Sequence, residues 1–431
     1  MAKKQSSPPP SRASALSVLT RTLDGGQDLQ AALSEELDKR AISRRDAALA
    51  TELAYGYLRR SIQIDFLLNR FLKNPEGLKP KLRRVLGVAA YELLFLDRVP
   101  AYASVDWAVS LARRISGAGP AKMANAVLRR VSELGETAFD PETYRGRMTS
   151  KSRFLSHFFS CPEWIVELWL NAYGEEKTRA FLAAQVQAPP VGLRFNRSRP
   201  GAEELYSELA ASRQTTVLET GLAMPPGGPD LGEAMARGLI SRQSAAGQQI
   251  MLELGCRQWP EPVWDACAGR GGKTFMLAEA GKKVFASDPH TGRLSGFQQD
   301  SERLRLKVHA FAARAEEPAP LGDPPGTILL DAPCSGLGVI SRRPDIKHKR
   351  RPENLPELIE LQHKILLNVF RSVRRGGVVV YMTCTLNPDE NERRVEALLD
   401  NEPGANLELT WSTPSDSPLG EFFYGAVLKA S

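Results

Sequence analysis

The 431-residue sequence has no apolar run long enough to span a membrane. Its best candidate, LGVAAYELLFL (86–96), is too short and carries Glu92. The first residues, MAKKQSSPPPSRAS, are basic but lack the apolar segment of a secretory signal, which predicts a disordered tail over 1–13. Histidine is scarce, with five residues that do not cluster, and no two of the five cysteines stand in CxxC spacing, so no metal site is expected. An odd number of scattered thiols does not make a disulfide framework. These absences point to a reduced, cytoplasmic chain with no membrane association. Two phosphate-binding signatures are also missing. GxxxxGK[ST] would need glycine at 267, where Cys267 stands, and there is no GxGxxG.

What is present is ordinary for a globular protein: 42% apolar and 25% charged residues. The length suggests about three domains. Lys and Arg number 57 against 50 acids, a net +7, which permits a polyanionic partner without requiring one.

The patterning changes along the chain. Residues 14–138 read as helices throughout: RDAALATELAYGYLRR (45–60), then 62–73, 80–96, 104–115 and 121–134, separated by NPEG, RVP and SGAGP. This predicts an all-α bundle. Residues 139–240 mix two helices over 161–185 with a strand near 189–198, a small α+β connector. From 241 to 431 strands alternate with helices: PVWDACA, KKVFASD, TILLDAPC and GGVVVYMTC each precede a helical stretch. That grammar predicts a Rossmann-like α/β domain with a mostly parallel sheet.

Ligands of such sheets bind at the carboxyl ends of the strands. There the sequence places Asp265, Cys267, Asp288, Asp331, Cys334 and Cys384. In VWDACAGRGGKT (263–274) a strand enters a glycine-bearing turn that opens a helix, so backbone amides can approach a ligand closely. In KKVFASDPH (282–290) an acid ends the next strand about twenty residues on, the position of a ribose acceptor; the same Asp288 would also serve as a helix cap. Together they favour an adenosine cofactor without phosphates, which S-adenosylmethionine satisfies. Cys161 and Cys256 read as inert small hydrophobes. Cys334 and Cys384 differ, since each closes a strand among polar neighbours.

Residues 241–431 resemble the RNA 5-methylcytosine methyltransferases, on the strength of DAPCSGLG (331–338) and YMTCTLNPDENE (381–392). Residues 14–138 resemble the NusB-like RNA-binding domain that precedes the catalytic domain in the Sun/Fmu (RsmB) ribosomal RNA methyltransferases, through RDAALATELAYGYLRR, RVPAYASVDWAVSLA and MANAVLRR. The resemblance implies methyl transfer to C5 of a cytosine in small-subunit ribosomal RNA. Cys384 would be the nucleophile and Cys334 would assist product release. It implies a cofactor loop of Cys267, Ala268, Gly269, Arg270, Gly271, Gly272 and Lys273, with Asp288 on the ribose and Asp331 between cytosine and the methionine end. It also implies phosphate contacts from Arg342, Arg343 and Lys347 in SRRPDIKHKRR (341–351), and a monomer.

Two departures stand out. The resembled family has Ala-Pro where this chain has Gly269-Arg270, which predicts a more mobile loop or an added charge near the cofactor. It also has an acid near the adenine, where this chain has KVHAFAARAEE (307–317), with no acid around Ala312. Two alternatives stay open at this level: a transfer RNA substrate, and an RNA-binding assembly factor with little turnover.

Overall fold

A computed structural model describes residues 8–146, 150–219, 221–318 and 321–431. The chain divides into two units. One holds the described residues up to Gln187 together with Arg343–Arg350, the other Ala188–Arg342 and Arg351–Ser431.

The first unit is helical. Its longest straight element, Arg44–Asn69, is capped by Ser43, whose hydroxyl accepts the Asp46 amide at 3.1 Å. Sequence periodicity suggested a break near residue 61, but the helix runs through it. It packs on the helix Pro80–Phe95 through a reciprocal glycine contact. A Cβ on Gly56 would lie 2.0 Å from the Tyr91 hydroxyl, and one on Gly87 would lie 2.4 Å from the Tyr57 ring. Helices Ala101–Ser116 and Ala118–Leu134 complete the core around Leu58, Leu86, Trp107 and Leu128.

The predicted tail needs correction from Pro10 onward, where the helix Pro10–Leu23 begins. Proline suits a first turn, whose amides lack partners anyway, and Arg12 pairs at 2.7 Å with the fully buried Glu92. Residues 1–7 lie outside the described residues. The predicted connector is also divided. Its helical part, Lys151–Phe158 and the segment Glu163–Gln185 broken at Gly174 (φ 75°), belongs to the first unit. The rest opens the second.

In the second unit an antiparallel sheet of order β2-β3-β1-β4 is formed by β1 (Val191–Phe195), β2 (Thr216–Val217), β3 (Gly221–Met224) and β4 (Ile240–Arg242). A seven-stranded sheet follows: β5 (Val263–Asp265), β6 (Val284–Ser287), β7 (His309–Phe311), β8 (Thr327–Asp331), β9 (Val378–Thr383), β10 (Ala405–Ser412) and β11 (Tyr424–Ala430), in the order β10-β11-β9-β8-β5-β6-β7. Strands β5 to β9 pair in parallel, and β11 and β10 add antiparallel at one edge. Because β5 has β6 on one side and β8 on the other, the order reverses there, and the crevice at the carboxyl ends is the ligand position of such sheets. The helix Leu355–Ser372 covers one face with Ile365, Leu366 and Val369. No helix among the described residues is long and apolar enough to cross a membrane.

Candidate active site

The turn after β5 is held from three directions. The Ala268 amide donates to the Ser287 carbonyl at 2.9 Å, Gly271 N to the Ala268 carbonyl at 2.8 Å, and Gly269 N to the Asp288 carboxylate at 3.0 Å. Gly269 (φ 58°) and Gly271 (φ 84°) take left-handed backbone, and a Cβ on Gly271 would strike the Phe275 and Phe297 rings at 2.6 Å. A Cβ on Gly269 or Gly272 would meet nothing within 4 Å, so the turn borders open space. Arg270 extends toward Asp300, 3.5 Å away, on the helix Thr291–Leu304, and lies along Gly296. A carboxylate therefore meets the charge introduced by Gly269-Arg270.

The antiparallel β1–β4 sheet braces this turn. Arg194 of β1 donates to the Gly272 carbonyl at 2.8 Å and pairs at 2.6 Å with Glu279 of the helix Gly272–Glu279, both side chains being almost fully buried.

Lys273 and Asp331 join the turn to β8 through a 2.5 Å contact. Burial alone would lower the Lys273 pKa, but Asp331 outweighs it, with Cys384 and Asp265 acting in the same sense, so the ammonium lies above its usual range. Asp265, at the end of β5, is 1% exposed and accepts from the Thr274 hydroxyl at 2.6 Å. Its Oδ1 is buried without a hydrogen-bond partner. Burial, reinforced by Asp331, pushes its pKa up to about 7. Burial and the carboxylates of Asp265, Asp331, Asp288 and Glu316 hold Cys267 as a thiol. Glu316 is thus an acid that the loop after β7 supplies four positions beyond Ala312, paired with Arg314 at 2.8 Å.

Two thiols lie at the ends of the adjacent strands β8 and β9. Cys334 Sγ and Cys384 Sγ are 3.3 Å apart, and the Cys384 amide approaches Cys334 Sγ at 3.4 Å. The hydrogen bond to Cys384, then burial, then negative charge at Cys384 and Glu390 raise the Cys334 pKa well above the usual thiol value. The two thiols are therefore unequal: Cys384 has an ammonium among its neighbours, and Cys334 has a carboxylate. Cys161 and Cys256 lie outside this cluster, buried, with pKa values pushed up to about 12 and about 11 by burial.

The expected phosphate contacts are corrected by their surroundings. Lys347 is 2% exposed; its ammonium donates to the Arg59 carbonyl at 2.7 Å and to the Ser160 carbonyl, and burial lowers its pKa to about 7. A buried ammonium in a cage of carbonyls cannot reach a phosphate. Arg342 is bound through two nitrogens to the buried Glu421, at 2.7 and 2.8 Å. Arg343 pairs with Asp28 and alone of the three keeps an exposed side chain.

The site fits S-adenosylmethionine. An open glycine turn with free space beside it, a buried carboxylate following β6 that would suit the ribose hydroxyls, and a cation–carboxylate pair that would suit the methionine end are compatible with that molecule's parts. The family profile for 16S rRNA methyltransferase RsmB/F matches residues 251–424. The NusB family matches residues 9–133, and the ferredoxin-like domain of RsmF/B-like methyltransferases matches 161–222. A probable ribosomal RNA small subunit methyltransferase B of Synechocystis is 32% identical over 89% of this chain and 87% of its own length. The ribosomal RNA small subunit methyltransferase B of Pseudomonas putida is 32% identical over 97% of this chain and 98% of its own. The chain belongs to the RsmB/F family of 16S rRNA methyltransferases.

Among solved structures, PH0851 shares the fold with a TM-score of 0.77 at 23% identity, over 99% of this chain and 100% of that one. A methyltransferase homolog from Pyrococcus horikoshii gives 0.56 at 22% identity, over 66% and 100%. As a member of the RsmB/F family, the chain is an RNA methyltransferase with S-adenosylmethionine as its cofactor. Residues without a role in the sequence reading are Asp265, Glu316, Ser335, Gln362 and Glu390. Asp265 carried a signal in its place at a strand end, and Ser335 and Glu390 in lying within DAPCSGLG and YMTCTLNPDENE.

Proposed function

We propose that this enzyme methylates C5 of a cytosine in small-subunit ribosomal RNA through a covalent bond from Cys384 Sγ to C6 of the base. The observation that carries this reading is the pair of thiols 3.3 Å apart just beyond β8 and β9, with Asp331, which ends β8, paired to Lys273. The names of the relatives support the ribosomal substrate.

C5 of cytosine is too weak a nucleophile to attack a methyl sulfonium unaided. Addition of the Cys384 thiolate to C6 places the electron pair on C5 and divides one hard step into two easier ones. The cofactor supplies the electrophilic methyl group. Lys273 stands among the charged groups around the attacking sulfur. After methylation a base takes the C5 proton, and the C6–S bond breaks with its electron pair returning to Cys384. Cys334, held as a thiol, donates its S–H to the departing sulfur across the 3.3 Å contact. The target base has to leave its stack to reach the thiols. The NusB-like helices bind the surrounding RNA, with Arg44 and Arg45 on their exposed surface.

Tritiated methyl incorporation into RNA, followed by bisulfite sequencing of ribosomal and transfer RNA from a deletion strain, tests the assignment. A single ribosomal cytosine that loses protection is the expected result. A lost position in transfer RNA, or none, would overturn it.

A further inference from the structure

Glu390 lies in the loop after β9 with a fully buried carboxylate that meets only donors. Its Oε2 accepts the Ser335 amide at 2.7 Å and the Gln362 amide at 2.9 Å. Its Oε1 accepts the Ser335 hydroxyl at 2.5 Å and Asn387 Nδ2 at 3.0 Å, with the Thr385 hydroxyl at 3.4 Å. The Ser335 and Thr385 hydroxyls are themselves 2.6 Å apart. Ser335 follows Cys334, and Thr385 follows Cys384. One carboxylate therefore grips the residue next to each thiol. Gln362 ties the same point to the helix Leu355–Ser372 and donates as well to the carbonyl of Pro333, the residue before Cys334.

A buried charge is costly unless hydrogen bonds compensate it, and a mere loop closure would not need one. The placement has a chemical use, because reactive groups misplaced by about 1 Å can lose about 10²-fold in rate. We propose that Glu390 is a positioning residue that fixes the spacing of Cys334 and Cys384 by anchoring both of their loops to one point, an assignment that rests on the two-thiol chemistry proposed above. Its charge also helps to keep the proton on Cys334, distinguishing the donor thiol from the attacking one.

Glu390→Gln keeps the shape but turns one acceptor into a donor facing an N–H in either orientation. Glu390→Asp keeps the charge and shortens the reach. Each variant is compared with the wild type for melting temperature, cofactor affinity by calorimetry, kcat and KM on RNA, and the rate at which diamide closes a Cys334–Cys384 disulfide, followed by mass spectrometry. Diamide is a two-electron oxidant, reduced to its hydrazine as two thiols become one disulfide, and the closing rate reports the sulfur spacing without any methyl transfer. For Glu390→Gln we expect near-native cofactor affinity and KM, a kcat lower by about 10²-fold, and slower disulfide closure, with Glu390→Asp recovering part of both. If Glu390→Gln shows no cooperative melting, Ser335→Ala, which removes one arm of the anchor, is expected to give the same pattern more weakly. An unchanged closing rate in the variant that folds overturns the assignment. Slower closure with full methylation instead overturns the two-thiol reading beneath it.

Discussion

The sulfurs of Cys334 and Cys384 lie 3.3 Å apart, beyond the carboxyl ends of neighbouring parallel strands. Cys384 has the Lys273 ammonium among its charged neighbours, while Cys334 has Glu390. Cys384→Ala is therefore expected to abolish methylation and leave S-adenosylmethionine affinity near the wild-type value, because in the proposed mechanism the thiol acts on the base and not on the methyl donor. Calorimetry and tritium incorporation on the same preparation check this. Parallel loss of both would make Cys384 a folding residue.

Asp288 is 2% exposed and already orders the cofactor turn by accepting the Gly269 amide at 3.0 Å. Asp288→Ala removes that contact and, if the position following β6 holds the ribose as such sheets do, its acceptor as well. Binding of S-adenosylmethionine should weaken by about 1–3 kcal/mol, the range for losing a hydrogen-bonding group from a buried site. Unchanged affinity would restrict Asp288 to ordering the turns around it, where it also accepts the His290 amide at 2.8 Å. The helix Thr291–Leu304 starts at His290 without a side-chain cap, so the helix-cap role expected of Asp288 is not seen.

Asp265 gives the fold a pH dependence. Its pKa rises from 3.8 to about 7 on folding, so between those values the folded state holds a proton that the unfolded state has released. Its contribution is fully present below about pH 4 and is lost as pH rises through about 7. Asp265→Asn, neutral at every pH, should gain stability relative to wild type as pH increases across that window. Urea midpoints at pH 5 and pH 8 measure it, and an equal difference at both would contradict the assignment.

The RNA-binding surface can be mapped by salt. Each phosphate contact adds about 0.7–0.9 to the slope of log affinity against log salt. Arg44→Ala and Arg45→Ala should flatten that slope. Lys347→Met should lower the melting temperature and leave the slope alone, because its ammonium is buried against the Arg59 and Ser160 carbonyls. A flatter slope in Lys347→Met would return that residue to the RNA interface.

The strands that carry the site were legible because β5, β6, β8 and β9 are apolar runs ending in Asp or Cys, and the glycine turn announces itself by composition. Strands β10 and β11 were not. β10 faces solvent along most of its length, Leu407 and Leu409 included, so it has no clean alternation. The burial of Glu390 and Lys347 was not legible for a related reason. Each looks locally like a charge in a polar loop, and each is buried by partners far away in sequence: Ser335 and Gln362 for one, Arg59 and Ser160 for the other. The packing unit is larger than the NusB match, which ends at 133: it also takes in the helices up to Gln185 and the segment Arg343–Arg350.

The division of labour between the thiols is open to one direct measurement, the covalent trapping of RNA by Cys334→Ala. Cys384 can still add to C6 in that variant and the methyl group can still move, but the departing sulfur has lost its hydrogen-bond donor, so enzyme and methylated product should stay joined. A denaturing gel with RNA and S-adenosylmethionine should show a slow, protein-linked RNA band that disappears in the Cys334→Ala/Cys384→Ala double variant. A band that survives loss of Cys384 but not loss of Cys334 would contradict the account by reversing the two roles.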